Sequence, residues 1–336
     1  MSITGNRNIG VELLRILLMF CIVFGHCCSH GAFQNDRLVL TAGATTFFAV
    51  NAFAFISGWF SIKTTPLRFL RFVGIGLFWS IIVWILGGGF RLHMGWYGNS
   101  YLALMLLAPY INGGIDYMID KRGLNTMVAT LLLFLTFTWL MWLPLRMINV
   151  DLVPNGFGPK TTFTLVVMYI LGRTLSRIEY LKQIKTAYLI MTFILLVVFT
   201  IGWSAVGRLY GGFVSLMKLW MENSPTAIIA AASIFLVFER MPVPKSLQKA
   251  VVFIAPSMFG IYLFHEGAGR CIFKPFYTNI ENRVSDLFSG GQVVSCFVAA
   301  ICTFGICLSA DILRRISFSI VKHVWGLRKA NESASN

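Results

Sequence analysis

Two residues in the first apolar run of the chain are out of place unless they do chemistry. That run, Asn8 to His30, carries Arg15 and His26 with ten residues between them. A guanidinium in the centre of a membrane helix costs roughly 2.5–3.5 kcal/mol on insertion scales, and intramembrane ionisable groups are functional candidates by default. Eleven helical steps of about 100° return to nearly the same azimuth, so both residues project from one face, about 16 Å apart along the axis. Glu12, Met19, Ile22 and His30 fall near the same stripe. One helix face therefore offers a fixed cation towards one end and an imidazole towards the other. Such a face could hold an anionic ligand at one end and move a proton at the other. The competing arrangement has Arg15 snorkelling to the headgroups and His26 sitting at the opposite interface.

Further groups could join them. Glu12 can pair with Arg15 and lower the cost of burying either charge, or can serve as a helix-start carboxylate favoured by the dipole. Arg68 and Arg71, three apart after Pro66, share one face at a helix start. They suit a phosphate and equally suit a membrane anchor. Trp96 and Tyr97 are either interfacial aromatics or a stacking surface for a sugar ring. His265 beside Glu266 is a second histidine at a helix end. Asn223-Ser224-Pro225 reads as a cap with proline just inside. The seven cysteines show no paired metal spacing, and His26-Cys27-Cys28-Ser29-His30 is too tight a run for a zinc site, so no metal is expected.

The elements that position these groups must be membrane helices. Of 336 residues, 57% are hydrophobic and 12% charged, about half the charged fraction of a soluble domain. The net charge of +15 is explained by the positive-inside rule, and no basic stripe with interleaved aromatics suggests a nucleic acid. The first apolar run is too long for a signal-peptide core. The expected fold is all-α, a polytopic integral membrane protein of about ten transmembrane helices. They lie near 9–28, 41–60, 67–87, 96–112, 124–143, 161–176, 186–203, 224–238, 251–265 and 292–313. The longest outer loops fall near 144–160, 204–223 and 266–291. Alternate loops hold most of the Lys and Arg, which places both termini in the cytoplasm. Arg15 then lies towards the cytoplasm and His26 towards the outside. Residues 1–315 form one membrane domain, and 316–336 a basic, then polar, cytoplasmic tail.

Taken in order, these motifs resemble the membrane acyltransferase-3 family. The resemblance rests on Arg15 and His26 at their ten-residue spacing and on Glu12-Leu13-Leu14-Arg15, where the family usually has Asp-Gly-Leu-Arg. It extends to Phe55-Ile56-Ser57-Gly58-Trp59-Phe60, to Arg68 and Arg71, to Trp96-Tyr97, and to Tyr262-Leu263-Phe264-His265. Glu12 for Asp and Leu13 for Gly are the departures. Some members append an esterase-like domain; this chain resembles the stand-alone form.

The resemblance implies an acetyl-CoA-dependent O-acetyltransferase of the cell (inner) membrane. Its acceptor would be a hydroxyl of an extracytoplasmic or lipid-linked polysaccharide such as capsule, O-antigen or exopolysaccharide. Arg15, Arg68 and Arg71 would hold the CoA phosphates, and His26 would be the base, with Arg15 and Glu12 beside it. Trp96, Tyr97 and His265 would meet the acceptor. The partners would be acetyl-CoA, the glycan and membrane lipid, with no permanently bound cofactor. No third group that would orient a nucleophile is visible, so direct transfer is expected over an acyl-His26 or acyl-Cys27 intermediate. The alternative is a transporter or flippase for a glycan or small anionic solute; paired discontinuous helices in two matching halves, which would favour it, are not seen.

Overall fold

A computed structural model describes residues 8–88, 94–147, 160–211, 219, 221–267, 270–287 and 291–334. Among these the protein is helical, with no strand. The helices are α1 (Ile9–His30), α2 (Arg37–Gly43), α3 (Ala49–Trp59), α4 (Pro66–Val83), α5 (Gly95–Arg122), α6 (Leu124–Met147) and α7 (Thr162–Leu175). They continue with α8 (Thr186–Tyr210), α9 (Pro225–Arg240), α10 (Lys245–Ile254), α11 (Met258–Tyr262), α12 (Arg270–Leu287) and α13 (Gln292–Ala334).

Seven helical stretches among the described residues are long and apolar enough to cross a membrane: Ile9–His30, Arg37–Trp59, Pro66–Gly87, Gly95–Arg122, Thr186–Tyr210, Lys245–Glu266 and Gln292–Val321. Leu124–Leu135 and Thr162–Leu175 are apolar but shorter. Every one of the ten expected spans falls on helix, with differences inside and between them. The second is two helices, α2 and α3, joined by a tight 3-10 turn at Ala44–Thr46. The ninth is broken at Ala255–Ser257, where Pro256 removes a backbone donor, and ends in a π-turn over Leu263–Gly267. The stretch 266–291, expected as a loop, contains α12. Its Phe273, Tyr277 and Glu281, four apart, turn one buried face to the bundle. Of the other two, 144–160 lies largely outside the described residues, while 204–223, also expected as a loop, begins as helix: α8 continues to Tyr210, and 212–218 lies outside the described residues. Helix α13 runs unbroken through the expected 315/316 boundary.

Helix association in lipid has little hydrophobic drive and depends on close approach at small residues. The α3–α7 contact shows this. A Cβ on Gly58 would collide with the Tyr169 carbonyl oxygen, and one on Gly172 would collide with that of Phe55. Ala227, Ala230 and Ala231 let α9 pack with equal intimacy, all three fully buried. Helix α1 is central, touching α3, α9, α10, α11 and α13. Asn8 caps it, accepting from the Val11 amide while its own amide donates to the Glu239 carbonyl at 2.6 Å. Thr65 and Ser224 cap α4 and α9, each with proline at the first turn; the Ser224 cap and both proline-led starts are as the sequence indicates.

Candidate functional site

The α1 stripe opens onto a cavity of about 370 Å³, within the size range of small-molecule sites. Arg15, Met19, Ile22 and His26 line it along one wall. Their spacing of four, three and four is that of a single helix face, so the expected stripe is the wall itself. Helix α4 contributes Arg68, Arg71 and Phe72; α5 contributes Trp96, Tyr97 and Tyr101; the broken α10–α11 segment contributes Pro256, Phe259 and Tyr262. Ser57 closes the α3 side.

Three of the lining residues are arginines. Arg15 lies 3.4 Å from Glu12, which stands outside the lining and is 15% exposed against 35% for the arginine. The pair partly offsets the cost of a lone buried guanidinium and leaves donors over for a ligand. Arg68 and Arg71 are exposed. One Arg68 amino group donates to the Lys63 carbonyl at 2.7 Å, which holds the side chain near the α3–α4 turn.

The middle of the cavity is aromatic. Tyr97 stacks on Tyr101 at 5.9 Å between ring centroids, and Tyr101 stacks on Phe72 at 5.4 Å. Tyr262 meets Tyr97 edge-on, and the Tyr101 hydroxyl is 3.3 Å from Ser57 Oγ. Gly95 makes the Tyr262 contact possible. It has φ +67°, and a Cβ there would collide with the Tyr262 hydroxyl oxygen.

His26 closes the far end and is part of a second cluster. Its Nδ1 is 3.0 Å from His265 Nε2 and 3.7 Å from Glu266 Oε2. His265 Nδ1 is in turn 2.7 Å from the Ile261 carbonyl oxygen, and the residue is 1% exposed. A carbonyl only accepts, so His265 must carry its proton on Nδ1, and its neutral ring accepts at Nε2. His26 must then donate from Nδ1, which leaves its Nε2 as the lone-pair nitrogen. The tautomer follows from the hydrogen-bond network. The π-turn supplies the geometry, since it carries His265 and Glu266 on successive residues at the end of the broken span.

Of the residues singled out in the sequence, Arg15, His26, Arg68, Arg71, Trp96 and Tyr97 line this one cavity; Glu12 and His265 stand behind its wall, each against a lining residue. Cys27 is buried and does not line the cavity, so an acyl group in the cavity does not reach it. Sequence reasoning does not reach Tyr101 or Tyr262 as site residues. The tyrosines do carry a signal, in the i, i+4 spacing of Tyr97 and Tyr101 and in the motif that ends in His265.

The profile of a family described as an acyltransferase domain matches residues 8–313. No curated protein and no solved structure matches significantly.

Proposed function

The chain belongs to the acyltransferase-3 family, and from that premise we propose that it moves an acetyl group from cytoplasmic acetyl-CoA to a hydroxyl of an extracytoplasmic or lipid-linked polysaccharide at the cell membrane. The observation that carries this reading is a cavity with three arginines among its lining and His26, its Nδ1 already engaged, at the far end. Arg15, Arg68 and Arg71 hold the phosphates of CoA, where guanidinium forks match phosphate oxygens. The pantetheine arm lies along the aromatic middle, and the distance from Arg15 to His26, about 16 Å of helix, is of the order of that extended arm. The thioester then stands at His26.

His26 acts as general base. Its Nε2 takes the proton from the acceptor hydroxyl as the hydroxyl oxygen attacks the thioester carbonyl carbon. The tetrahedral adduct collapses with cleavage of the C–S bond, and the departing CoA sulfur takes the proton back from His26. The products are the O-acetyl ester and CoA, and His26 returns to its starting state. His265 is a positioning residue, fixing the His26 tautomer as a third group does in other histidine-based sites. Glu266, 3.7 Å away, stabilises the transient imidazolium. Trp96 and Tyr97 present flat faces for a sugar ring.

The test is transfer of label from radiolabelled acetyl-CoA to envelope glycan in membranes carrying the wild type or His26→Ala. Label that needs both the protein and His26 is the expected result. A fully active His26→Ala variant would overturn the mechanism. Absence of both label and thermal stabilisation by acetyl-CoA would overturn the acetyl-CoA reading and favour a transport role.

A further inference from the structure

Behind the His26 end of the cavity, outside its lining, lies a group of cations. Arg270, at the start of α12, reaches two groups at once: one amino nitrogen is 3.3 Å from Glu266 Oε1 and the other 3.2 Å from His30 Nε2. Lys274 lies one turn further along α12 and acts electrostatically on His30. Lys160, just before α7, acts on His26, His30, Glu222 and Glu266. The Arg270 side chain is 48% exposed, and both lysines are exposed.

The acidic groups nearby do not balance them at the surface. Glu266 is 15% exposed and already paired with Arg270. Glu281 is fully buried against Ala32, and burial raises its carboxyl to about 7. Burial raises the Glu222 carboxyl as well. Among the described residues around His26 and His30, three accessible cations therefore stand with three carboxylates, Glu266, Glu281 and Glu222, none of which is exposed. Cations on the outer side also oppose the usual positive-inside bias. A neutral acceptor would give no reason to gather three of them around the base.

The geometry points to an anionic acceptor: a glycan carrying a carboxylate or phosphate close to the hydroxyl that receives the acyl group, held by Arg270, Lys160 and Lys274. This rests on the acyltransfer reading above. A guanidinium has five donors in a fixed fork, and Arg270 has capacity left for an acceptor anion beyond Glu266 and His30. The anion has two chemical sources, an acidic sugar or the diphosphate of a lipid linker, and both would place negative charge beside the reacting hydroxyl.

The experiment follows the acetyl label into extracted glycan and passes it over an anion exchanger, before and after mild-acid cleavage of lipid diphosphates. Retention after cleavage identifies a charged sugar. Retention lost on cleavage identifies the linker. In parallel, Lys274→Glu should lower transfer about tenfold, the effect of roughly 1.4 kcal/mol, while thermal stabilisation by acetyl-CoA is unchanged. Raising the ionic strength should lower wild-type transfer, because exposed charges are screened within about 10 Å at 0.1 M salt. Label in unretained, neutral glycan would overturn the inference, as would full activity of Lys274→Glu. Stabilisation by acetyl-CoA with no label in any anionic glycan would overturn the acceptor assignment alone. Loss of both stabilisation and label would overturn the acyltransfer reading beneath it.

Discussion

His26 Nδ1 and His265 Nε2 stand 3.0 Å apart, and the backbone decides which of them donates. The Ile261 carbonyl accepts from His265 Nδ1 at 2.7 Å, so the proton pattern is fixed outward from the π-turn to the cavity. Replacing His265 with Ala should therefore leave His26 free to adopt either tautomer. We expect kcat to fall about tenfold to a hundredfold, part of the range that a well-placed general base supplies. KM for acetyl-CoA should change little, because the arginines are untouched. His265→Gln, whose amide oxygen can accept from His26 Nδ1, should recover part of the loss. Steady-state kinetics on the three proteins checks this; a His265→Ala variant that loses donor affinity with kcat intact would contradict it.

Arg15 supplies the complementary test. With its guanidinium only 3.4 Å from Glu12, removing it deletes a proposed phosphate ligand and also takes the partner from a part-buried carboxylate. Arg15→Ala should raise KM for acetyl-CoA about tenfold or more, since a hydrogen bond to a charged group is worth about 1.5–3 kcal/mol. Arg68→Ala should do less, because Arg68 is exposed at the mouth and partly engaged by the Lys63 carbonyl. Titration of acetyl-CoA by thermal shift ranks the two. An Arg68 effect larger than that of Arg15 would place the CoA head differently.

The α1 wall is legible in the sequence alone because a helix has one period, and Arg15, Met19, Ile22 and His26 obey it. The capped starts of α4 and α9 are legible for the same local reason. How distant segments meet is not. Nothing in the sequence near His26 announces His265, 239 residues away, and its role as a partner depends on a π-turn that no periodicity encodes. Helix α12 looks like a loop in the sequence because Pro275 and a run of polar residues mask a buried face whose partners lie on other helices. Of the two remaining long stretches expected as loops, 148–159 and 212–218 lie outside the described residues, and 204–210 belongs to α8.

Gly95 links conformation to the site. It sits at φ +67°, and a Cβ would collide with the Tyr262 hydroxyl oxygen and stand 3.1 Å from the ring carbon that bears it. Gly95→Ala should lower the melting temperature and the activity together, with a backbone cost of about 1–2 kcal/mol in addition to the collision. Tyr262→Phe removes the colliding oxygen, so in the Gly95→Ala background it should restore some stability. A double-mutant cycle on Tm measures this coupling. Simple additivity would mean that the ring does not meet position 95.

Glu281 sets a pH dependence on stability. Burial raises its carboxyl from 4.5 to about 7, so the folded protein holds this proton over a pH range in which the unfolded chain has released it. The folded state binds more protons between about pH 4.5 and 7, and stability falls as pH rises through that window. The contribution is greatest below pH 4.5 and is lost above 7, on the order of 3 kcal/mol. One carboxyl oxygen accepts from the Ala32 amide just beyond α1, so deprotonation acts at the junction of α1 and α12, on the His26 side of the bundle. Glu281→Gln keeps an acceptor for Ala32 and removes the titration. Its melting temperature in detergent should therefore be flatter than that of the wild type from pH 5 to 8, with the two curves separating most at the alkaline end, where the wild type is weaker. Parallel curves across that range would show that Glu281 titrates alike in both states.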